Sequence, residues 1–163
     1  LYRIGNGSRG AGRNFTGGRS LKEGRRSGGD LLPGPGGLCD PRHEAFAEDA
    51  FKYLDRMGDQ YDLIILDPPA FAKHKDALRN ALQGYRKLNA KAFEKIKPGG
   101  ILFTFSCSQV VTKDNFRTAV FTAAAMSGRS VRILHQLTQP ADHPVNIYHP
   151  EGEYLKGLVL YVE

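Results

Sequence analysis

Apolar positions along this chain fall into short blocks whose spacing alternates between strand and helix periods. Tyr61-Asp-Leu-Ile-Ile-Leu66 has the length and branched content of a buried strand. Leu78, Leu82, Tyr85, Leu88, Ala92 and Ile96 then recur three and four residues apart. That spacing predicts an amphipathic helix over Asp76–Lys97, stopped by Pro98-Gly99-Gly100. Ile101–Phe105 is the next apolar run. Phe116, Val120 and Ala123 share one face of a second helix, capped by Thr112, running to Met126 and ended by Gly128. Val131–Leu137 and Leu155–Val162 read as two further strands. Upstream, His43–Ala47 reads as a short strand and Ala50–Met57 as a short helix. This alternation predicts an α/β fold with a mostly parallel sheet and right-handed crossovers. Only Thr138–Tyr154 separates the last two strands, so they are expected to form an antiparallel pair at one edge.

Residues 1–40 differ in kind. They hold twelve of the nineteen glycines and six arginines, with no helix or strand period. Leu31-Leu-Pro-Gly-Pro-Gly-Gly37 reads as a turn-rich linker, and the stretch is expected to be irregular. Gly5-Asn-Gly-Ser-Arg-Gly10 imitates a dinucleotide loop, but no apolar strand precedes it and no amphipathic helix follows. The division is therefore 1–40, irregular, and 41–163, globular. The chain does not begin with Met, so it reads as a piece of something longer. The formal charge of +6 lies mostly in the first part, which weakens it as a sign of nucleic acid. No stretch is apolar enough to cross a membrane. Cys39 and Cys107 make neither a disulfide framework nor a metal site, which suits a reducing, cytoplasmic compartment.

The candidate chemistry sits at the ends of the predicted strands. Asp67-Pro68-Pro69-Ala70-Phe71-Ala72-Lys73 follows the first strand. Two prolines lack N–H groups and hold the segment extended, so Asp67 is expected at the mouth of a pocket. Cys107 lies just past the next strand, between Ser106 and Ser108. It reads either as a buried core thiol or as a nucleophile with thiolate character. Asp49 reads as a helix N-cap, with a contact to an adenine amino group as the rival. His143, in Asp142-His143-Pro144, reads as a substrate contact or a packing residue. Lys73, His74, Lys75, Arg79, Arg86, Lys87 and Lys91 form a basic run, either a solvated helix face or a phosphate-backbone contact.

Five segments then appear in order. They are Asp67-Pro68-Pro69-Ala70-Phe71, Gly84-Tyr85-Arg86-Lys87-Leu88-Asn89, Gly99–Ser108, Ala141-Asp142-His143-Pro144 and Pro150–Gly157. Together they resemble the catalytic domain of the RlmI/YccW type of class I S-adenosylmethionine-dependent rRNA methyltransferases, over about residues 41–163. The resemblance implies a Rossmann-like sheet, mostly parallel with an antiparallel C-terminal strand, here lacking its first strands. It implies 5-methylcytosine formation in large-subunit rRNA, with Cys107 as nucleophile and Asp67 as its catalytic partner at the base. It also implies S-adenosylmethionine contacts at Asp49, Ala50, Asp67 and Pro68. Substrate contacts are implied at Pro69, Phe71, Lys73, Tyr85 and His143, and no metal is implied.

The chain departs from that pattern before residue 41, where the family's upstream RNA-binding PUA domain is also not recognisable. The family's glycine-rich loop after its first strand and acidic residue after its second are not recognisable. The Gly/Arg-rich stretch stands where they belong, as in a truncated or frame-disrupted gene. A sheet short of strands would leave edges open to a second copy, so a homo-oligomer is one expectation. The rival functions are methylation of a guanine amino group of RNA, and a non-catalytic RNA-binding fragment.

Overall fold

The computed structural model describes residues 2–3, 47–58, 61–72 and 74–163. Cys39, Lys73, the Gly5–Gly10 motif and the Leu31–Gly37 linker lie outside them, as does the expected strand at His43–Ala47 apart from Ala47. The strands are β1 (Tyr2–Arg3), β2 (Tyr61–Leu66), β3 (Ile96–Ser106), β4 (Val131–Leu137) and β5 (Lys156–Val162). The helices are α1 (Ala50–Arg56), α2 (Leu78–Lys95) and α3 (Lys113–Ser127), with single 3-10 turns at Lys75–Ala77 and Pro150–Gly152.

The strand order is β1-β2-β3-β5-β4. β2 and β3 are parallel, with Leu66 opposite Thr104. β5 runs antiparallel to both β3 and β4, so β2, β3 and β4 point one way and β5 against them. The mostly parallel sheet with an antiparallel C-terminal strand is therefore present. β1, two residues within the stretch expected to be irregular, pairs antiparallel with Ile64 and Ile65.

One face of the sheet packs on α2 and α3. Ile64, Leu66, Leu102, Leu158 and Leu160 meet Tyr85, Phe93, Phe116, Val120 and Ala123 in a single core, with α1 contributing Leu54. Each large apolar side chain buried there contributes about 1.5–3 kcal/mol. The alternate residues Ile101, Phe103 and Phe105 face away and are half-buried. β5 lies between two neighbours, so it is buried almost end to end, which explains why its sequence is apolar without alternation.

The caps follow ordinary rules. Asp49 Oδ1 accepts from the Phe51 and Lys52 N–H groups at 3.0 and 3.1 Å, the N-cap expected of it. Thr112 Oγ1 accepts from Asn115 N at 3.1 Å, and Gly128 closes α3 with φ +68°. α2 ends earlier than its apolar spacing predicts. Ile96 already pairs with Tyr61 in the sheet, and Leu63 pairs with Ile101, so Lys97-Pro98-Gly99-Gly100 bulge out between them. Gly99 takes φ +81° there, and the Arg129 guanidinium donates to the carbonyls of Phe93 and Ile96 at the helix end.

Gly157 sits opposite Phe105 and Leu137 in the middle of three strands. A Cβ there would lie 2.5 Å from the Phe105 ring. Gly157→Ala is expected to lower stability by about 1–3 kcal/mol, read as a fall in the urea midpoint with an unchanged slope.

Candidate active site

β2 and β3 are parallel neighbours, so their carboxyl ends deliver two loops to the same edge of the sheet. Asp67 opens the first loop and is exposed. Cys107 lies at the start of the second and is half-buried. The loops touch: Cys107 Sγ is 4.0 Å from the carbonyl oxygen of Pro68, with the thiol as donor. The Ser108 hydroxyl, itself buried, donates to the Ala72 carbonyl at 2.6 Å. The structure thus brings Cys107 to Pro68, whose chain neighbours are Asp67 and Pro69.

A second layer lies beneath. The Ser106 hydroxyl donates to Tyr85 Oη at 2.9 Å, and the Phe71 backbone also reaches that oxygen. The Phe71 ring lies on Tyr85 with centroids 4.6 Å apart. Gly84 makes room for it, since a Cβ there would meet the Phe71 ring at 3.0 Å. Tyr85 is 0% exposed, so in this conformation it supports the loop from below and offers no surface to a substrate. Burial pushes its phenol above the ordinary value, against the pull of the Ser106 and Phe71 hydrogen bonds.

A third group closes the site from β5. Lys156 lies opposite Ser106, and paired residues on neighbouring strands project on one face. Its ammonium donates to the Ser108 carbonyl at 2.6 Å and the Tyr154 carbonyl at 2.8 Å. Reading the sequence missed Lys156, because a lysine at a strand start gives no sign of burial until the β3–β5 register is known. His143 is exposed, and its Nε2 meets Tyr154 Oη at 2.8 Å. It joins the site only through Tyr154. Gln109 to the Glu151 carbonyl and Lys113 to Glu153, at 3.1 and 2.5 Å, tie the same loop to the start of α3.

The remaining expected site residues are separate. Asp49 and Ala50 begin α1, and no hydrogen bond joins them to the Cys107 cluster among the described residues. The basic run divides. Lys75, Arg79 and Arg86 line a groove between α2 and α3 with Asn115, Thr118 and Thr122, whereas Lys91 pairs with Asp55. Among the described residues no helix is long and apolar enough to cross a membrane, and no cluster of ligating side chains could hold a metal ion.

No protein-family model matches the chain. Curated relatives do. A "Ribosomal RNA large subunit methyltransferase I" from Tolumonas auensis is 47% identical over 116 residues, 69% of this chain and 29% of the relative. Its namesake from Cronobacter sakazakii is 44% identical over 122 residues, covering 73% and 31%. Over these residues the chain is similar to proteins named ribosomal RNA large subunit methyltransferase I. The chain spans about three-tenths of the length of these relatives. A solved methyltransferase complexed with SAH superposes with a TM-score of 0.56 at 25% identity, covering 72% of this chain and 30% of that one. A structure described as a SAM-dependent methyltransferase from Streptococcus mutans gives 0.60 at 23%, covering 74% and 31%, and bears on the fold alone. The sheet is thus Rossmann-like, as in the methyltransferase complexed with SAH.

Two outcomes test the loop's anchorage. Ser108→Ala leaves the Ala72 carbonyl buried and unpaired, so stability should fall by about 1–3 kcal/mol, with faster amide exchange at Ala70–Ala72. For Tyr85, a phenol raised in the fold stabilises fully below the unfolded value and is lost as pH rises through the folded one. Stability should therefore drop above about pH 10, and Tyr85→Phe should blunt that drop in alkaline denaturation curves.

Proposed function

We propose that the parent of this chain methylates large-subunit rRNA from S-adenosylmethionine, at C5 of a cytosine, with Cys107 as covalent nucleophile. The observation that carries the reading is the meeting of the Cys107 thiol with the Asp67-Pro68-Pro69 loop at the ends of two parallel strands. Kinship with proteins named for ribosomal RNA methylation supports the substrate class.

The chemistry needs these residue types. C5 of cytosine is a weak nucleophile. The Cys107 sulfur adds to C6, and the ring electrons then place carbanion character on C5. S-adenosylmethionine, when bound, supplies a methyl group on a sulfonium for C5 to attack. Loss of the C5 proton then expels the sulfur and restores the ring. Asp67, exposed beside Pro68, would hold the N3/N4 edge of the base as charge develops there. Pro69 and Phe71 give the loop a fixed apolar wall, and the base must leave any stack to reach it.

Asp49, Ala50, Asp67 and Pro68 would hold the cofactor. The donor set suits it in one respect: Asp49 caps α1 through Oδ1 alone, which leaves Oδ2 able to accept from an adenine amino group. Lys75, Arg79 and Arg86, beside the groove between α2 and α3, offer charge to a phosphate backbone.

The test is methyl transfer to an rRNA fragment carrying the target loop. Cys107→Ala should lower transfer about a thousandfold or more. The unaltered chain should form a gel-stable adduct with RNA containing 5-fluorocytosine. Full transfer by the Ala variant, or no adduct, would reject carbon methylation through Cys107 and favour attack by an exocyclic amine.

A further inference from the structure

We propose that the groove between α2 and α3 is a track for a single RNA strand, with phosphates on its α2 wall and ribose hydroxyls on its α3 wall. The inference rests on the rRNA reading for the identity of the strand, but its measurement needs no methyl transfer.

The fold puts the groove beside the site. α2 follows β2 and α3 follows β3, and those strands are parallel, so both helices begin at the edge that carries Asp67 and Cys107. The loops that lead into them are joined by the hydrogen bond from Ser108 to Ala72, shortly before Lys75. The groove holds about 670 Å³, within the range of ligand-binding clefts. From Lys75 to Arg86 its α2 wall runs for about 16 Å, enough for several nucleotides stacked at about 3.4 Å. Packed helices lie about 8–10 Å apart, axis to axis, which leaves room for one strand and none for a duplex.

The charge in the groove is unbalanced. Arg56, Lys91, Lys97, Lys113 and Arg132 each pair with a carboxylate. Lys75, Arg79 and Arg86, on the α2 wall, form no ion pair among the described residues. Asp76 is the one carboxylate in the lining among the described residues, so three positive charges stand against one negative. Like charges gathered along one helix face repel one another, and an anion laid between them turns that repulsion into attraction.

The α3 wall carries no charge. Asn115 and Thr118 line it, and their side chains form no hydrogen bond among the described residues. The Thr122 hydroxyl donates to the Thr118 carbonyl at 2.8 Å and can still accept. Amide and hydroxyl groups both donate and accept, as does the ribose 2′-hydroxyl, the group that sets RNA apart from DNA. Leu78, Leu82 and Ala119 complete the lining with apolar surface for a sugar or a base face. One wall thus suits the anionic side of a strand and the other its ribose.

The experiment is fluorescence anisotropy of a short labelled single-stranded RNA, and of DNA of the same sequence, titrated with the full chain over a series of salt concentrations. The double variant Arg79→Gln/Arg86→Gln should weaken RNA binding about tenfold and flatten the slope of log affinity against log salt by about 1.4. Lys87→Gln removes the same charge from the same helix outside the groove and should bind as the parent does. The parent should prefer RNA to DNA severalfold, and Asn115→Ala/Thr118→Val should erase that preference. Unchanged binding in the arginine variant, equal weakening by Lys87→Gln, or equal affinity of the parent for RNA and DNA overturns the proposal. Should the double variant fail to fold, Arg79→Gln alone decides, since Arg79 is exposed and half the slope change is then expected. Groove-dependent RNA binding by a chain whose parent transfers no methyl group would sink the methyltransferase reading and leave the track standing. Methyl transfer by a parent whose RNA binding ignores the groove would do the reverse.

Discussion

Two consecutive prolines set the terms for the rest of this molecule. Pro68 and Pro69 remove two backbone donors from the loop after β2, and Pro68 holds Asp67 extended. Such a loop cannot satisfy its carbonyls by turning on itself. It must lie against another segment that brings donors, and the end of β3 does so. The Cys107 thiol faces the Pro68 carbonyl, and the Ser108 hydroxyl takes that of Ala72. The donors that this loop needs and the nucleophile proposed above thus lie in one tripeptide, Ser106-Cys107-Ser108.

The layers around that tripeptide divide the work. Tyr85 and Phe71 form an aromatic floor that fixes the height of the loop, with Ser106 as the polar link through it. Lys156 comes from β5 and holds the Ser108 carbonyl. The segment before β5 reaches the same place through Tyr154 and is fastened to α3 by Lys113 and Glu153. Three stretches distant in sequence therefore converge on a single exposed carboxylate and a half-buried sulfur.

Much of this was legible in the sequence, and the exceptions have physical causes. β2, α3 with both its caps, and the antiparallel last strands follow from period and punctuation, which are local. So does the Asp49 cap, since a carboxylate before a helix bonds its own neighbours. The end of α2 was misplaced because Ile96 satisfies a helical spacing and a strand pairing equally, and packing against Tyr61 decides between them. Tyr85 was expected at a substrate, yet the 0% exposure follows from the stacking of Phe71, which no spacing reveals. The burial of Lys156 depends on strand register between segments some fifty residues apart, and charge alone argued against it.

The strand order imposes a sequence of assembly. β4 precedes β5 along the chain, but among the described residues it joins the sheet only through β5, which separates it from β3. β4 therefore has no docking edge of its own while it waits. The two must arrive as a hairpin, or β5 must enter first and recruit its predecessor. In either order, the segment that carries Lys156 to the Ser108 carbonyl is also the segment that seats the outer strand. The anchorage of the Ser108 loop and the finished sheet are therefore completed in the same event.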